Sequence, residues 1–293
     1  MKKRIILAAS MCAAISCSEA VATGIGETKG SHDQFVASQG PMEAKQGVNA
    51  VVDELVIANR VLYKQGIFDG FGNVSVRNPD NPDHFFMAVA VAPGLITAND
   101  IIEYDMDANP VDPSDTRLPF LERFIHSEIY KVRSDVNAIV HSHAPGVIPF
   151  SVTSAALRPI VHPASFLPIE GVPVFDTASV AGNDSLLVKD PKLGKALAGC
   201  LGQNNAALMR GHGDVVVGPN LRLTVFRAIY IDVNARLQLQ ALMLGGPVTY
   251  LSKPEAVFAE NAITKQHPNS MHVYDRSWEI WKTEAVGTKS ARN

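Results

Sequence analysis

Residues 122–145, LERFIHSEIYKVRSDVNAIVHSHAP from Leu121 onward, constrain this chain more than any other stretch. A helical apolar pattern carrying Glu122 and His126 passes through a turn at Ser134-Asp135 into a strand that ends His141-Ser142-His143. Strand side chains alternate with period two, so His141 and His143 point to the same side and can close on one metal ion. The helix supplies a carboxylate beside them. A fold that honours this stretch must pack that helix against the face of a sheet on which the two imidazoles stand.

The remaining sequence predicts the partners of that sheet. A helix is expected over residues 49–63, ended by Gly66, followed by a glycine-entered strand over 71–77. The loop Asn78-Pro79-Asp80-Asn81-Pro82-Asp83 then turns the chain into a second strand over 85–91, making a hairpin, and residues 101–105 read as a short edge strand. A short helix over 145–152, a strand over 172–175 and a helix over 185–201 broken at Pro191 come next. Strands over 206–209 and 215–217 flank Arg210-Gly211-His212-Gly213-Asp214, and a long helix over 221–244 stops at Gly245-Gly246. A final helical pattern surrounds Trp278 and Trp281, whose spacing suits packing of the tail onto the body of a subunit. Strands mixed with helices, without regular βαβ alternation, favour α+β or a three-layer αβα arrangement.

The first 22 residues are set aside from the fold. Lys2-Lys3-Arg4 precede an apolar run over residues 5–17, and Ala20-Val21-Ala22 offers small residues at a cleavage position, which reads as a secretory signal peptide and implies export, to a periplasm in the simplest case. The run is too short for a membrane span, and no other stretch is apolar for long enough. Residues 23–46, rich in Gly, Ser and Lys, read as a flexible lead-in to a catalytic domain over 47–293. Cleavage after Ala22 leaves Cys200 as the one cysteine of three, so no intrachain disulfide is expected. The net charge is −3 and becomes more negative once the basic leader is lost, which speaks against a nucleic-acid partner.

His212 is the natural third ligand to join His141 and His143, because it lies between two glycines that allow close backbone approach, beside a strand that can lie next to the first. Three histidines leave a coordination position open for water or substrate, the arrangement of a catalytic metal. A histidine in a glycine-rich turn is also a common structural hydrogen-bonder, and the His-x-His pair gains weight from the carboxylate upstream.

Four ordered segments carry a specific resemblance: Gly72-Asn73-Val74-Ser75-Val76-Arg77, Glu122-x-x-x-His126, residues 136–143 ending in the two histidines, and Leu208-Met209-Arg210-Gly211-His212-Gly213. Together they resemble the class II aldolase/adducin family over roughly residues 51–244. The resemblance implies a three-layer αβα fold with a mixed, largely antiparallel sheet, one divalent metal per subunit on His141, His143 and His212, and a catalytic carboxylate at Glu122. It also implies a homo-oligomer, commonly a tetramer with sites at subunit interfaces. Zinc is the first expectation for the metal, with manganese or iron as alternatives. Adducin-type members lack the metal histidines; their presence here favours an enzyme over an interaction protein.

Departures from the family pattern bear on substrate. Where the sugar-phosphate aldolases carry two serines before the catalytic Glu, this chain has Phe120 and Leu121. The family's hydroxyl-bearing loop is matched by Ala92-Pro93-Gly94, and the position of its proton-donating Tyr by Pro163. A small, non-phosphorylated hydroxy-acid or hydroxy-carbonyl substrate is therefore expected. The pattern is similar to a branch that includes decarboxylases of hydroxylated aromatic acids. Aldol-type and decarboxylase-type lyase chemistry both fit, since a metal that chelates a hydroxyl and a neighbouring carbonyl or carboxylate stabilises the enolate-like charge left by C–C cleavage. A non-haem iron oxygenase on the same scaffold is the alternative enzyme.

Within this reading Glu122 is the general acid/base, its pKa raised by a wall of Phe120, Leu121 and Phe124; otherwise it is a surface glutamate paired with Arg123 or His126. His126 orients Glu122 or a metal ligand. Asn73 and Ser75 either meet substrate or cap a turn. Arg77 and Arg210 are candidate carboxylate clamps, or members of surface ion pairs. His162 and Tyr250 are candidate proton donors in place of the missing Tyr, His162 having a buried structural role as its alternative.

Overall fold

Two strands buried on both faces set the architecture. Val74 and Val76 of β1 (Asn73–Arg77) join one apolar cluster, whereas Phe85 and Met87 of β2 (His84–Ala88) join another. The two strands pair antiparallel, and β2 pairs in turn with β3 (Ile101–Asp105) at the sheet edge. These contacts are seen in a computed structural model that describes residues 41–182, 185–265 and 271–286, all within one compact unit spanning 39–293. The expected signal peptide and most of the expected lead-in lie outside the described residues.

The chain enters through α1 (Pro41–Lys64), crosses the β1–β2–β3 meander, and reaches α2 (Arg123–Val132) and β4 (Ala138–Ser142). A one-turn helix α3 (Ile148–Ser151), the two-residue strand β5 (Val174–Phe175) and a second one-turn helix α4 (Ala178–Ala181) lead to α5 (Pro191–Leu201). The hairpin of β6 (Ala206–Met209) and β7 (Gly213–Gly218) follows, then α6 (Leu221–Met243), α7 (Lys253–Thr264) and α8 (Val273–Val286). The strands form one seven-stranded sheet in the order β3-β2-β1-β4-β7-β6-β5, antiparallel throughout except between β5 and β6.

Each face of the sheet is covered by helices. On one side Leu55, Val61 and Leu62 of α1, with Val225, Ile229 and Ile231 of α6 and Trp278 of α8, pack on Val74, Val140 and Val216. On the other side Ile125 and Ile129 of α2, with Leu193 and Leu197 of α5, pack on Met87, Ile139 and Val215. This is the three-layer αβα fold with a mixed, largely antiparallel sheet, and its central strand β4 carries the histidine pair.

Among the differences from the sequence expectation, three have a local cause. The first helix begins at Pro41, inside the expected lead-in, because Met42 to Gln46 are good helix formers that lack an apolar period. Pro191 starts α5 instead of breaking a longer helix. Asp190 caps it by accepting from the Leu193 amide at 2.9 Å, and a proline at the first helical position gives up an amide that had no helical partner. Helix α7 was not anticipated, although Ser252 and Glu255 form a reciprocal capping box at its start.

Candidate metal and active site

The site grows out of the period of β4. Ala138 and Val140 face the α1/α6 layer, which sends Ile139 and His141 to the α2/α5 face, and His143 follows on the same side just beyond the strand. On one flank Asn73 of β1 stands opposite His141; on the other, β7 places Val215 opposite His141 and Asp214 opposite Ser142. His212 occupies the turn between β6 and β7, where Gly211 has a φ of 64°. Gly213 has a sharper requirement: a Cβ there would lie 1.9 Å from the Ser142 carbonyl oxygen. Only glycine lets β7 approach β4 this closely, and the approach brings His212 Nε2 to 2.8 Å from His143 Nε2.

Glu122 is the residue immediately before α2, with its carbonyl accepting from the Ile125 amide, so its side chain leaves the helix end toward the imidazoles. Its Oε2 lies 3.3 Å from His141 Nε2 and 3.4 Å from His212 Nε2, and its Oε1 accepts the Val188 amide at 2.8 Å. Ligand atoms of Glu122, His141, His143 and His212 all fall within 4.8 Å of one another.

The donor set fits a divalent cation. His141 donates its Nδ1 proton to the Asp214 carbonyl at 2.9 Å, and His212 donates its own to the Leu186 carbonyl at 3.0 Å. Each bond fixes the tautomer that leaves a lone pair on Nε2. His141 Nε2 is buried without a hydrogen-bond partner among the described residues. A bare, buried lone pair facing two further imidazoles and a carboxylate is a polar atom whose deficit a cation satisfies.

Electrostatics tie the four groups together. Burial acts to raise the Glu122 carboxyl, but His141 and His212 outweigh it and hold the group well below the usual carboxylate range. This is opposite to the expected rise, because the imidazoles are nearer than the apolar wall. Burial, then the neighbouring His141 and His212, pull His143 down to about 4. His212 moves upward: burial opposes the shift, and Glu122 with the Leu186 carbonyl overrides it.

A cleft of about 980 Å³ opens over the cluster, bounded by Phe71, Leu118, Phe120, Leu121, Leu186 and Leu187. Asn73 lies in its wall, as do all four residues of the cluster. Arg123 also reaches the cleft, but its guanidinium donates to the carbonyls of Ala108 and Phe120 and stacks over Phe124. Phe124, expected in the wall, is turned to that stack.

Several residues expected at the site lie elsewhere. Ser75 is buried behind it, bonded to His126 Nδ1 and the Tyr130 hydroxyl, because α2 covers the sheet there. His126 accordingly holds Asn73 and Ser75, with no bond to Glu122 or to a metal-site imidazole. Arg77 donates to four backbone carbonyls, those of Val136, Pro82, Tyr130 and Arg133, and stacks on Tyr130, so it pins a turn rather than clamping a ligand. Arg210 pairs with Asp176 at 2.7 Å outside the cleft. His162 is exposed on a single helical turn, and Tyr250 lies under the Arg158 guanidinium at 4.0 Å; neither reaches the cluster in this chain. Two contributors were not anticipated. Asp214 and the segment 186–188 act through their main chain, and a side-chain pattern does not register that. Leu186 adopts a φ of 65°, rare for a residue with a branched side chain.

The seven-stranded mixed sheet between two helical layers is an α/β fold of the class II aldolase type. Residues 53–239 match the class II aldolase and adducin N-terminal domain, and the chain belongs to that family. It is similar to the decarboxylase tropJ of Talaromyces stipitatus, 37% identical over 76% of this chain and 90% of that protein. A 3,4-dihydroxyphthalate decarboxylase of Arthrobacter keyseri is 30% identical over 71% of this chain and 84% of that protein. Among solved structures, L-fuculose 1-phosphate aldolase from Glaciozyma antarctica PI12 shares the fold, with a TM-score of 0.66, 22% identity, and coverage of 86% of this chain and 93% of that one.

Proposed function

We propose that this chain is a divalent-metal-dependent lyase that removes the carboxyl group of a hydroxylated aromatic acid. The observation that carries the reading is the convergence of three imidazole Nε2 atoms and Glu122 at the base of an apolar cleft. The similarity to proteins named as decarboxylases favours carboxyl loss over aldol cleavage. The apolar wall suits a ring, and Phe120 and Leu121 offer nothing to a phosphate. Arg123, committed to two carbonyls, does not present a free guanidinium fork.

His141, His143 and His212 would hold the cation, which on this reading is zinc, with manganese or iron as alternatives. Bound there, it supplies Lewis-acid polarisation of the oxygens of a hydroxy-acid. The chain's own residues handle the rest. Glu122 takes the substrate hydroxyl proton at Oε2 while the Val188 amide steadies Oε1. The bond between ring carbon and carboxylate carbon breaks, carbon dioxide leaves, and the bonding pair stays on the ring carbon. Glu122 then delivers its proton to that carbon. The Phe71, Leu118 and Leu121 side chains limit water at the carbon being protonated.

The test is incubation of the purified, metal-loaded protein with 2,3-dihydroxybenzoate, 3,4-dihydroxyphthalate and L-fuculose 1-phosphate. Carbon dioxide release from an aromatic acid is expected. Aldehyde formation from the sugar phosphate, without carbon dioxide from either acid, would refute the reading. The basic start and apolar run of residues 2–17 support export, for which a mature N-terminus near residue 23 is expected and a retained Met1 would count against it. Assembly into a homotetramer is proposed on the family resemblance; a monomer by light scattering would refute it.

A further inference from the structure

Behind the cleft, a chain of buried polar groups runs from Tyr130 to Asn73. The Tyr130 hydroxyl lies 2.8 Å from Ser75 Oγ, Ser75 Oγ lies 2.6 Å from His126 Nδ1, and His126 Nε2 contacts Asn73 Oδ1. Ser75 and His126 are fully buried, and Phe85 stacks parallel to the His126 ring. Water is excluded from Tyr130, Ser75 and His126, so each of their hydrogens must find its acceptor inside the chain.

Only one direction satisfies every hydrogen. Running forward, Tyr130 donates to Ser75, Ser75 donates to His126 Nδ1, and the His126 Nε2 proton goes to Asn73 Oδ1, an atom that can only accept. In reverse, the Asn73 amide donates to Nε2, Nδ1–H donates to Ser75, and Ser75 donates to Tyr130. The Tyr130 hydroxyl hydrogen is then left without an acceptor among the described residues, in a place closed to water. A stranded buried donor costs more than an unused acceptor lone pair. Burial also draws His126 down to about 3 and lifts the Tyr130 hydroxyl well above the usual phenol range, so each keeps the single proton that the forward direction needs.

We infer that Tyr130, Ser75 and His126 form a one-way relay of hydrogen bonds that locks the Asn73 carboxamide with its NH₂ toward the cleft. Asn73 is thereby a donor dedicated to an oxygen anion of the substrate, a carboxylate or phenolate, and His126 is a positioning residue acting through it. The Asn73 amide nitrogen has no hydrogen-bond partner among the described residues, and Asn73 lies in the cleft wall opposite His141. The orientation of the relay stands on this geometry alone; the nature of the anion it meets rests on the decarboxylase reading. A carboxamide free to flip would present its oxygen to an anionic substrate part of the time and repel it.

Histidine-selective ¹⁵N NMR of the full-length, cation-loaded protein tests the relay without any substrate. His126 is expected to be neutral with its proton on Nε2, unchanged between about pH 5 and pH 8. A proton on Nδ1, or titration within that range, overturns the relay. Binding of 2,3-dihydroxybenzoate by calorimetry then tests the donor. Asn73→Asp keeps the shape and an acceptor for His126 but turns a carboxylate oxygen to the cleft. It is expected to retain full cation content and bind the probe at least about tenfold more weakly. Equal affinity in the variant would overturn the donor role of Asn73. Wild-type protein that ignores the probe would defeat the substrate reading, while the histidine spectrum still decides the relay.

Discussion

His141 gives its Nδ1 proton to the Asp214 carbonyl at 2.9 Å, which leaves its Nε2 as a buried lone pair aimed at two other imidazoles. The tautomer is set by the main chain of the neighbouring strand, so the donor is preformed before any cation arrives. Replacing His141, His143 or His212 by Ala should reduce bound metal from about one per chain to near zero, as read by elemental analysis of the purified protein. Wild-type protein should also gain thermal stability on adding zinc, by about 2.7 kcal/mol at 100 times the dissociation constant. The Ala variants should lose that gain.

Glu122→Gln preserves the Val188 contact at Oε1 but removes the base from Oε2. Metal content should stay intact while carbon dioxide release falls at least about 100-fold. A variant that keeps both metal and turnover would remove Glu122 from the proton path.

His126 ties stability to pH. Its folded-state pKa is depressed by burial from the ordinary 6.5 to about 3. Between these values the unfolded chain binds the extra proton and the folded chain does not, so the contribution is complete above 6.5 and is lost as pH falls toward 3. The loss approaches about 1.4 kcal/mol per pH unit. Urea unfolding at stepped pH should show a shallower acid slope for His126→Gln than for wild type; identical slopes would contradict the assignment.

Gly213→Ala forces a Cβ into the Ser142 carbonyl oxygen, so β7 must retreat from β4. A cost of about 1–3 kcal/mol is expected, seen as a melting point lower by about 2–4 °C per kcal/mol. Zinc affinity should fall with it, because His212 moves away from His143. Calorimetric titration of the variant with zinc is the check.

How far the sequence carried can be judged on β1. Period two places Asn73, Ser75 and Arg77 on one face of the sheet, and that holds: Val74 and Val76 pack on the other. Face, however, is not access. Helix α2 starts just after Glu122 and lies over the rest of β1, so His126 meets Ser75 and Tyr130 meets Arg77, and of the three residues Asn73 is the one that still lines the cleft. No side-chain pattern reports where a helix begins to cover a strand. The histidines were legible because alternation and flanking glycines are local signals. The Asp214, Leu186 and Val188 contributions were not, because they come from backbone groups that every residue carries. Pro191 was read as an interruption since its neighbours look helical, whereas the Asp190 cap makes it a beginning.

The segment 186–188 holds two of the four cluster residues by main-chain groups alone. The Leu186 carbonyl keeps the His212 proton on Nδ1, and the Val188 amide grips Glu122 Oε1. Leu186 sits in the left-handed region at a cost of roughly 1–2 kcal/mol, offset by these two bonds while they are made. Displacing the segment would therefore take a main-chain support from the carboxylate and from the imidazole together.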